Sequence, residues 1–235
     1  MKRILITNDD GILAGGIIRL AEAACAFGEV TVIAPAAERS GLSRSITIRK
    51  PIDLVPHAFP VPGVTAWACS GTPSDCVRIG LEYLLPHKPD LVLSGINAGF
   101  NTGDDIPHSA TTGAAFEAVH LGVPAIAFSE PFEPVPEVTA RYLPGILSDL
   151  MNQGPGRDAV FNVNFPAAPC RGILTGRTVS FGSMFRTRYR LLEKLPENGL
   201  RLETDNTPDP DCEEGSDYRA VQDHYISVGI VKNIG

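Results

Sequence analysis

The sequence has no surplus of positive charge, no paired cysteines and no long apolar run, and each absence removes a class of function. Twenty Lys and Arg stand against 27 Asp and Glu, for a formal net charge of −7. The basic face that a duplex nucleic-acid binder needs is therefore missing. A small anionic substrate held through a metal ion remains open. The five cysteines (Cys25, Cys69, Cys76, Cys170 and Cys212) are odd in number, scattered, and form no C-x-x-C pair. They fit reduced thiols in a cytoplasmic protein better than a disulfide framework. No apolar stretch approaches the roughly 20 residues of a membrane span. The first residues run into a strand without a signal-peptide pattern. The expectation is a cytoplasmic protein whose partners include neither a membrane nor a nucleic-acid polymer.

Two ligand motifs are missing as well. Gly11, Gly15 and Gly16 do not have the G-x-G-x-x-G spacing, and the second strand ends in Ala34-Pro35 with no acidic residue for a ribose. That weakens a reading as an NAD-type enzyme. Residues 95–105 lack both the D-x-D-x-D-G spacing and the closing Glu of an EF-hand.

What the chain does carry is organised around residues 4–11, Ile-Leu-Ile-Thr-Asn-Asp-Asp-Gly. The unbroken apolar run suits a parallel strand buried on both faces. In open α/β sheets ligands bind outside the carboxyl ends of the strands, which puts Asp9 and Asp10 at the mouth of a site. Two adjacent carboxylates repel unless a cation sits between them, and oxygen ligands of this hardness suit Mg²⁺, Mn²⁺ or Ca²⁺. A solvated turn capping the next helix is the other reading of this stretch alone.

The 235 residues suffice for one large domain or two small ones. A helix over 15–28 and a strand over 29–34 make a β-α-β start. The polar loop 35–47 offers Ser40-Gly41 as a hydroxyl ligand with a close backbone approach, or else is a flexible surface loop. Short proline-broken strands fill 51–69. Thr72 and Pro73 open a helix, in which Asp75 reads as a first-turn acid facing the helix dipole. A buried strand over 90–94 runs into the Gly- and Asn-rich loop 95–105. Residues 108–122 form a helix with a hydroxyl-rich first turn, suited to a phosphate or to ordinary capping. A strand over 123–128, a helix near 136–152 and a strand over 160–165 follow. From about residue 175 polar residues dominate, and this stretch predicts a hairpin or arm packed on the main domain or on a second subunit.

Taken together, I-L-I-T-N-D-D-G at 4–11, A-P-x-x-x-R-S-G at 34–41, G-T-P-S-D-C-V at 71–77 and S-G-I-N-x-G-x-N-x-G-D-D at 94–105 closely resemble the SurE family of survival-protein nucleotidases. S-x-T-x-G-A-A at 109–115, N-V-N-F-P at 162–166 and G-S-D-Y-R-A-V at 215–221 extend the likeness over nearly the whole chain. The resemblance implies an α/β fold with a Rossmann-like three-layer core, a mostly parallel sheet and a smaller C-terminal extension. One domain is expected, with its core in 1–170 and an oligomerising arm and return segment in 171–235. The resemblance also implies a divalent-metal phosphomonoesterase, a 5′-nucleotidase that also takes 3′-monophosphates, with polyphosphate a lesser substrate. By matching position the metal ligands fall on Asp9, Asp10, Ser40 and Asn97. Asn8, Asn101, Ser109 and Thr111 become the neighbouring polar groups, with Gly41 beside them. One Mg²⁺ or Mn²⁺ per subunit and a homodimer or homotetramer are expected.

Mechanistically, adjacent Asp9 and Asp10 do not supply the D-x-D of a phosphoaspartate route. Metal-activated water is the reading, with Asp9 or Asp10 as proton acceptor and Ser109, Thr111 and helix N–H groups around the phosphate. The rivals are a nucleotide-binding sensor with little chemistry and a broader small-phosphoester phosphatase. The chain departs from the family at His108 and Ala110, where Tyr and Gly are usual, and at the closing segment 227–231. His108 is either a proton donor beside the phosphate or a surface imidazole filling the Tyr position.

Overall fold

Ile4, Leu5 and Ile6 are all buried, and they point alternately into two different cores. That is the signature of a strand covered on both faces. It holds for the centre of the sheet in a computed structural model that describes residues 1–232. In chain order the elements are β1 (Lys2–Thr7), α1 (Gly15–Ala24), β2 (Gly28–Pro35), β3 (Leu54–Pro56), β4 (Thr65–Cys69), α2 (Pro73–Ile79), β5 (Leu91–Ala98), α3 (Ala110–His120), β6 (Ala125–Glu130), α4 (Pro136–Leu150), β7 (Ala159–Asn164), β8 (Gly172–Arg177), β9 (Phe185–Lys194), β10 (Leu200–Pro208), α5 (Asp217–Gln222) and β11 (Tyr225–Lys232). A 3-10 turn over Gly103–His108 leads into α3.

Nine strands form one sheet in the order β3-β4-β2-β1-β5-β6-β7-β11-β8. Only β3 against β4 and β11 against β7 are antiparallel. The fold is therefore a mostly parallel α/β sandwich. Helices α1 and α4 share a core with Ile4, Ile6, Leu93, Phe128 and Val163. Helices α2 and α3 cover the other face over Leu5, Val92, Ala125 and Val160. The chain order reverses direction beside β1, so β2 and β5 flank it on opposite sides. This is the switch point at which open sheets leave a crevice.

The helices start where their sequences say. Thr72 and Asp75 close a reciprocal capping box on α2, with Pro73 in the first turn. The Ser109 hydroxyl accepts from the Thr112 amide and caps α3. The region after residue 170 divides in two. Strands β8 and β11 complete the main sheet, whereas β9 and β10 pair only with each other. Every residue of those two strands is exposed. Their register sets Arg186, Arg188 and Arg190 opposite Thr207, Asp205 and Glu203. The alternate face carries Phe185, Tyr189, Leu191 and Leu202.

Gly16 at the start of α1 is a close approach: a Cβ there would lie 2.0 Å from the Ile96 carbonyl oxygen. Gly145 inside α4 has nothing within 4 Å of such a Cβ. Alanine is the better helix former at both positions by about 0.5–1 kcal/mol. Gly145→Ala should therefore raise stability by about that amount, and Gly16→Ala should lower it by at least about 1 kcal/mol through backbone displacement. Urea unfolding of the two variants checks the opposite signs.

Candidate active site

Strand β1 ends in Thr7-Asn8-Asp9-Asp10-Gly11, and its turn is held from within. The Asn8 amide donates to the Gly11 carbonyl at 2.9 Å. The Ile12 amide donates to the Pro35 carbonyl at 2.9 Å, and the Arg39 amide to the Asp9 carbonyl at 2.7 Å. These two bonds bring the loop after β2 alongside the turn. Asp9 itself is 3% exposed, and the Thr111 hydroxyl donates to its Oδ1 at 2.5 Å. Burial pushes the Asp9 carboxyl up to about 7; the Thr111 hydrogen bond opposes the shift and the Asp10 charge adds to it. Asp10 accepts from the Ala98 amide at 3.2 Å. Burial raises its carboxyl too, and the charge of Glu38 works in the same direction.

The loop after β2 carries Ser40, whose hydroxyl donates to Glu38 at 3.0 Å, and Gly41 in a left-handed conformation at φ +71°. Four ties fix this loop. The Ser43 amide donates to the His108 carbonyl at 3.1 Å, and the Thr72 hydroxyl to the Ser45 carbonyl at 2.7 Å. Thr47 donates to Asp75 through its amide at 2.9 Å and its hydroxyl at 2.6 Å. Arg44 reaches one oxygen of Glu117 at 2.6 Å while Arg78 takes the other at 2.5 Å. Asp75 is thus a helix cap that also anchors the loop.

The loop after β5 is held from below. Asn97 donates to the Gly99 carbonyl at 2.8 Å, which leaves its Oδ1 uncommitted. The Asn101 amide nitrogen donates to Asn164 Oδ1 at 2.9 Å, and its carbonyl accepts from Asn162 at 2.8 Å. Its side chain donates to Ser129 at 2.7 Å. Asp217, from the first turn of α5, accepts from the amides of Gly103 at 3.2 Å and Ser180 at 2.9 Å.

These loops enclose an open cleft of about 200 Å³ lined by Asp9, Ser40, Gly41, Asn97, Asn101 and Ser109, with Ala98, Asp105 and His108 completing it. No lysine or arginine is in the lining. Seven residues singled out from the sequence, Asp9, Ser40, Gly41, Asn97, Asn101, His108 and Ser109, therefore meet in one place, and Asp10 abuts it through Ala98. Asn8 and Thr111 are placed differently from the reading that set them on phosphate. Both are fully buried beneath the cleft, one bracing the turn and the other bonded to Asp9. A larger hollow of about 380 Å³ lies elsewhere, between α4 and strands β8 and β11, but its lining is mostly apolar, with Ile146, Leu150, Phe161 and Ile173. Asp105 in the lining, and Asn162, Asn164, Glu117 and Asp217 as supports, were not singled out from the sequence. Among the described residues no three His, Cys, Asp or Glu side chains cluster as a ligand set. Asp9 and Asp10 have Ser and Asn as their neighbours instead.

A family profile described as "Survival protein SurE" matches residues 4–189. The chain belongs to the SurE family. It is 40% identical over 233 residues to the 5′-nucleotidase SurE 1 of Thermus thermophilus, covering 96% of this chain and 90% of that one. The 5′-nucleotidase SurE of Clostridium botulinum (strain Loch Maree / Type A3) is 38% identical over 233 residues with the same coverage. The crystal structure of the SurE protein from Aquifex aeolicus superposes with a TM-score of 0.82 at 33% identity, over 98% of this chain and 93% of that one. The nine-stranded sheet thus belongs to a fold already seen in the family.

The raised Asp9 carboxyl sets a pH dependence. Folded Asp9 keeps its proton up to about 7, whereas an unfolded aspartate loses it near 3.9. Between those values the unfolded chain binds fewer protons. Stability in chelator therefore falls as pH rises from about 4 to about 7, then levels off with respect to this group. Asp9→Asn removes that component. Melting temperatures of the two proteins in EDTA, taken from pH 4 to 8, should show the variant gaining on the wild type as pH rises.

Proposed function

We propose that the chain is a divalent-metal-dependent phosphomonoesterase that hydrolyses nucleoside 5′-monophosphates, in line with the name 5′-nucleotidase that its relatives carry. It also acts on 3′-monophosphates, with short polyphosphate a lesser substrate. The observation that carries this reading is the buried Asp9 carboxyl beside Asp10, in an oxygen-rich cleft with no lysine or arginine in its lining. Such a pair is destabilised alone and relieved by a cation. The donor set fits Mg²⁺ or Mn²⁺: two carboxylates, the Ser40 hydroxyl and the free Asn97 Oδ1, all hard oxygens and fewer than the six an octahedral ion takes. When bound, the ion would polarise the phosphoryl group and lower the pKa of a water.

The chain's own residues do the rest. Ser109, Asn101 and the Gly41 backbone face the phosphoryl oxygens. The amides of Ala110 and Thr111 at the start of α3, ahead of the capped Thr112 amide, add partial positive charge. Thr111 holds Asp9 in its rotamer, and Asn8 holds the turn that presents both carboxylates. Asp9, as the carboxylate it becomes once a cation is seated, takes the proton of the attacking water. Residues 1–170 supply this catalytic core, and 171–235 supply the arm and return segment for assembly. A cytoplasmic setting is supported by five unpaired thiols. No described helix is long and apolar enough to cross a membrane.

Phosphate release from AMP with Mn²⁺ or Mg²⁺ tests the activity; absence of release with either ion refutes it. Asp10→Asn and Asn97→Ala should each lower kcat/KM on the order of 100-fold or more. The exposed apolar face of the β9–β10 hairpin supports a homodimer or a dimer of dimers. Sedimentation at micromolar concentration should give a dimer or larger. The Tyr189→Glu, Leu191→Glu double variant should shift it toward monomer, and a monomeric wild type would contradict the assembly.

A further inference from the structure

Hydrolysis of a nucleotide releases an alkoxide, and some group must give that oxygen a proton. Three side chains in the cleft lining can carry one: Asp9, Asp105 and His108. Asp9 lies buried on the floor with the Thr111 hydroxyl bonded to it, and the reading above gives it the water's proton. The Asp105 carboxyl is tied at one oxygen to the Met184 amide at 3.3 Å, and the residue is less exposed than His108. His108 is exposed at the end of the 3-10 turn, and the Ser43 amide fixes its backbone carbonyl at 3.1 Å. His108 is therefore both a lining residue and open to solvent, which can reload an imidazole there.

Size decides which way the leaving oxygen faces. A space of about 200 Å³ is below the roughly 300–1,000 Å³ of cavities that enclose whole small ligands. The phosphoryl group enters among Asn97, Asn101 and Ser109, and the nucleoside extends out through the mouth. The bridging oxygen then lies toward the mouth, and His108 is the titratable lining residue that is exposed. Imidazole is the side chain suited to giving up a proton near neutral pH, and no lysine or arginine in the lining competes for the role.

We propose that His108 is the general acid of this site and protonates the departing nucleoside oxygen. The proposal rests on the phosphomonoesterase reading above. In the step, water oxygen bonds to phosphorus and its proton passes to Asp9. The P–O bond to the nucleoside breaks with its electron pair on oxygen, and the imidazolium proton passes to that oxygen. Neutral imidazole then takes a proton from solvent.

The test compares two leaving groups on the full-length protein with Mn²⁺. AMP releases an alkoxide that must be protonated; p-nitrophenyl phosphate releases a stabilised phenolate that need not be. For His108→Ala and His108→Gln, kcat/KM on AMP should fall on the order of 100-fold or more, while p-nitrophenyl phosphate turnover stays near wild type. That retained turnover also shows that the variants fold. Equal losses on both substrates would make His108 a phosphate-binding or structural residue, and unchanged AMP turnover would make it a bystander; either overturns the proposal. If the wild type hydrolyses AMP in both cases, only the role of His108 has failed. If the wild type does not, the phosphomonoesterase reading has failed instead.

Discussion

The carboxyl of Asp9 is buried beside a second carboxyl, and no lysine or arginine lines the cleft to offset either. Other buried acids in the chain are in a different state. Asp75 receives the amides of Thr47 and Thr72 and the Thr47 hydroxyl. Glu117 takes an arginine on each oxygen, and Asp217 receives three backbone amides. Burying a charge is costly unless it is paired and hydrogen-bonded; Asp75 and Glu117 are compensated in this way, and three amides oppose the burial that raises the Asp217 carboxyl. Asp9 has one hydroxyl and a like-charged neighbour. The contrast separates acids that hold the structure from the acid that the structure holds for use.

The compensated acids are also what keeps the cleft in shape. Asp75 and Glu117 tie the loop bearing Ser40 to α2 and α3, from the far side of that loop. Asp217 ties the loop bearing Asn101 to α5, while Asn162 and Asn164 hold it to β7. The cleft's geometry therefore depends on residues distant from it in sequence. The C-terminal segment contributes to the site through Asp217 even though it lines none of it.

The central fold was legible because its signals are local. Apolar runs such as Ile4-Leu5-Ile6 and Leu91-Val92-Leu93 mark doubly covered strands, and Thr72-Pro73 and Ser109 mark helix starts. Strands β8 and β11 were harder: β8 is a half-exposed edge, and its pairing with β11 spans some fifty residues. The hairpin face has no core to be periodic against. At the site, the residue types in T-N-D-D-G and S-G-I-N-x-G-x-N pointed to oxygen chemistry, and most of the predicted residues meet in the cleft. Thr111 was assigned to phosphate because a hydroxyl at a helix start suits one, and nothing local says that Asp9, 102 positions away, accepts it first. Asn162, Asn164 and Asp217 carried no readable role for the same reason. Their partners are set by topology.

The account turns on whether Asp9 is a protonated acid awaiting a cation. Calorimetric titration of Mn²⁺ at pH 6, repeated in buffers of different ionisation enthalpy, counts the protons that binding releases. A cation that seats beside Asp9 must displace its proton, because that carboxyl titrates at about 7. The prediction is one Mn²⁺ per chain, with proton release that is large at pH 6 and absent above pH 8. In Asp9→Asn, affinity should drop sharply and the release should vanish. Tight binding at pH 6 without proton release, or undiminished affinity in Asp9→Asn, would contradict it.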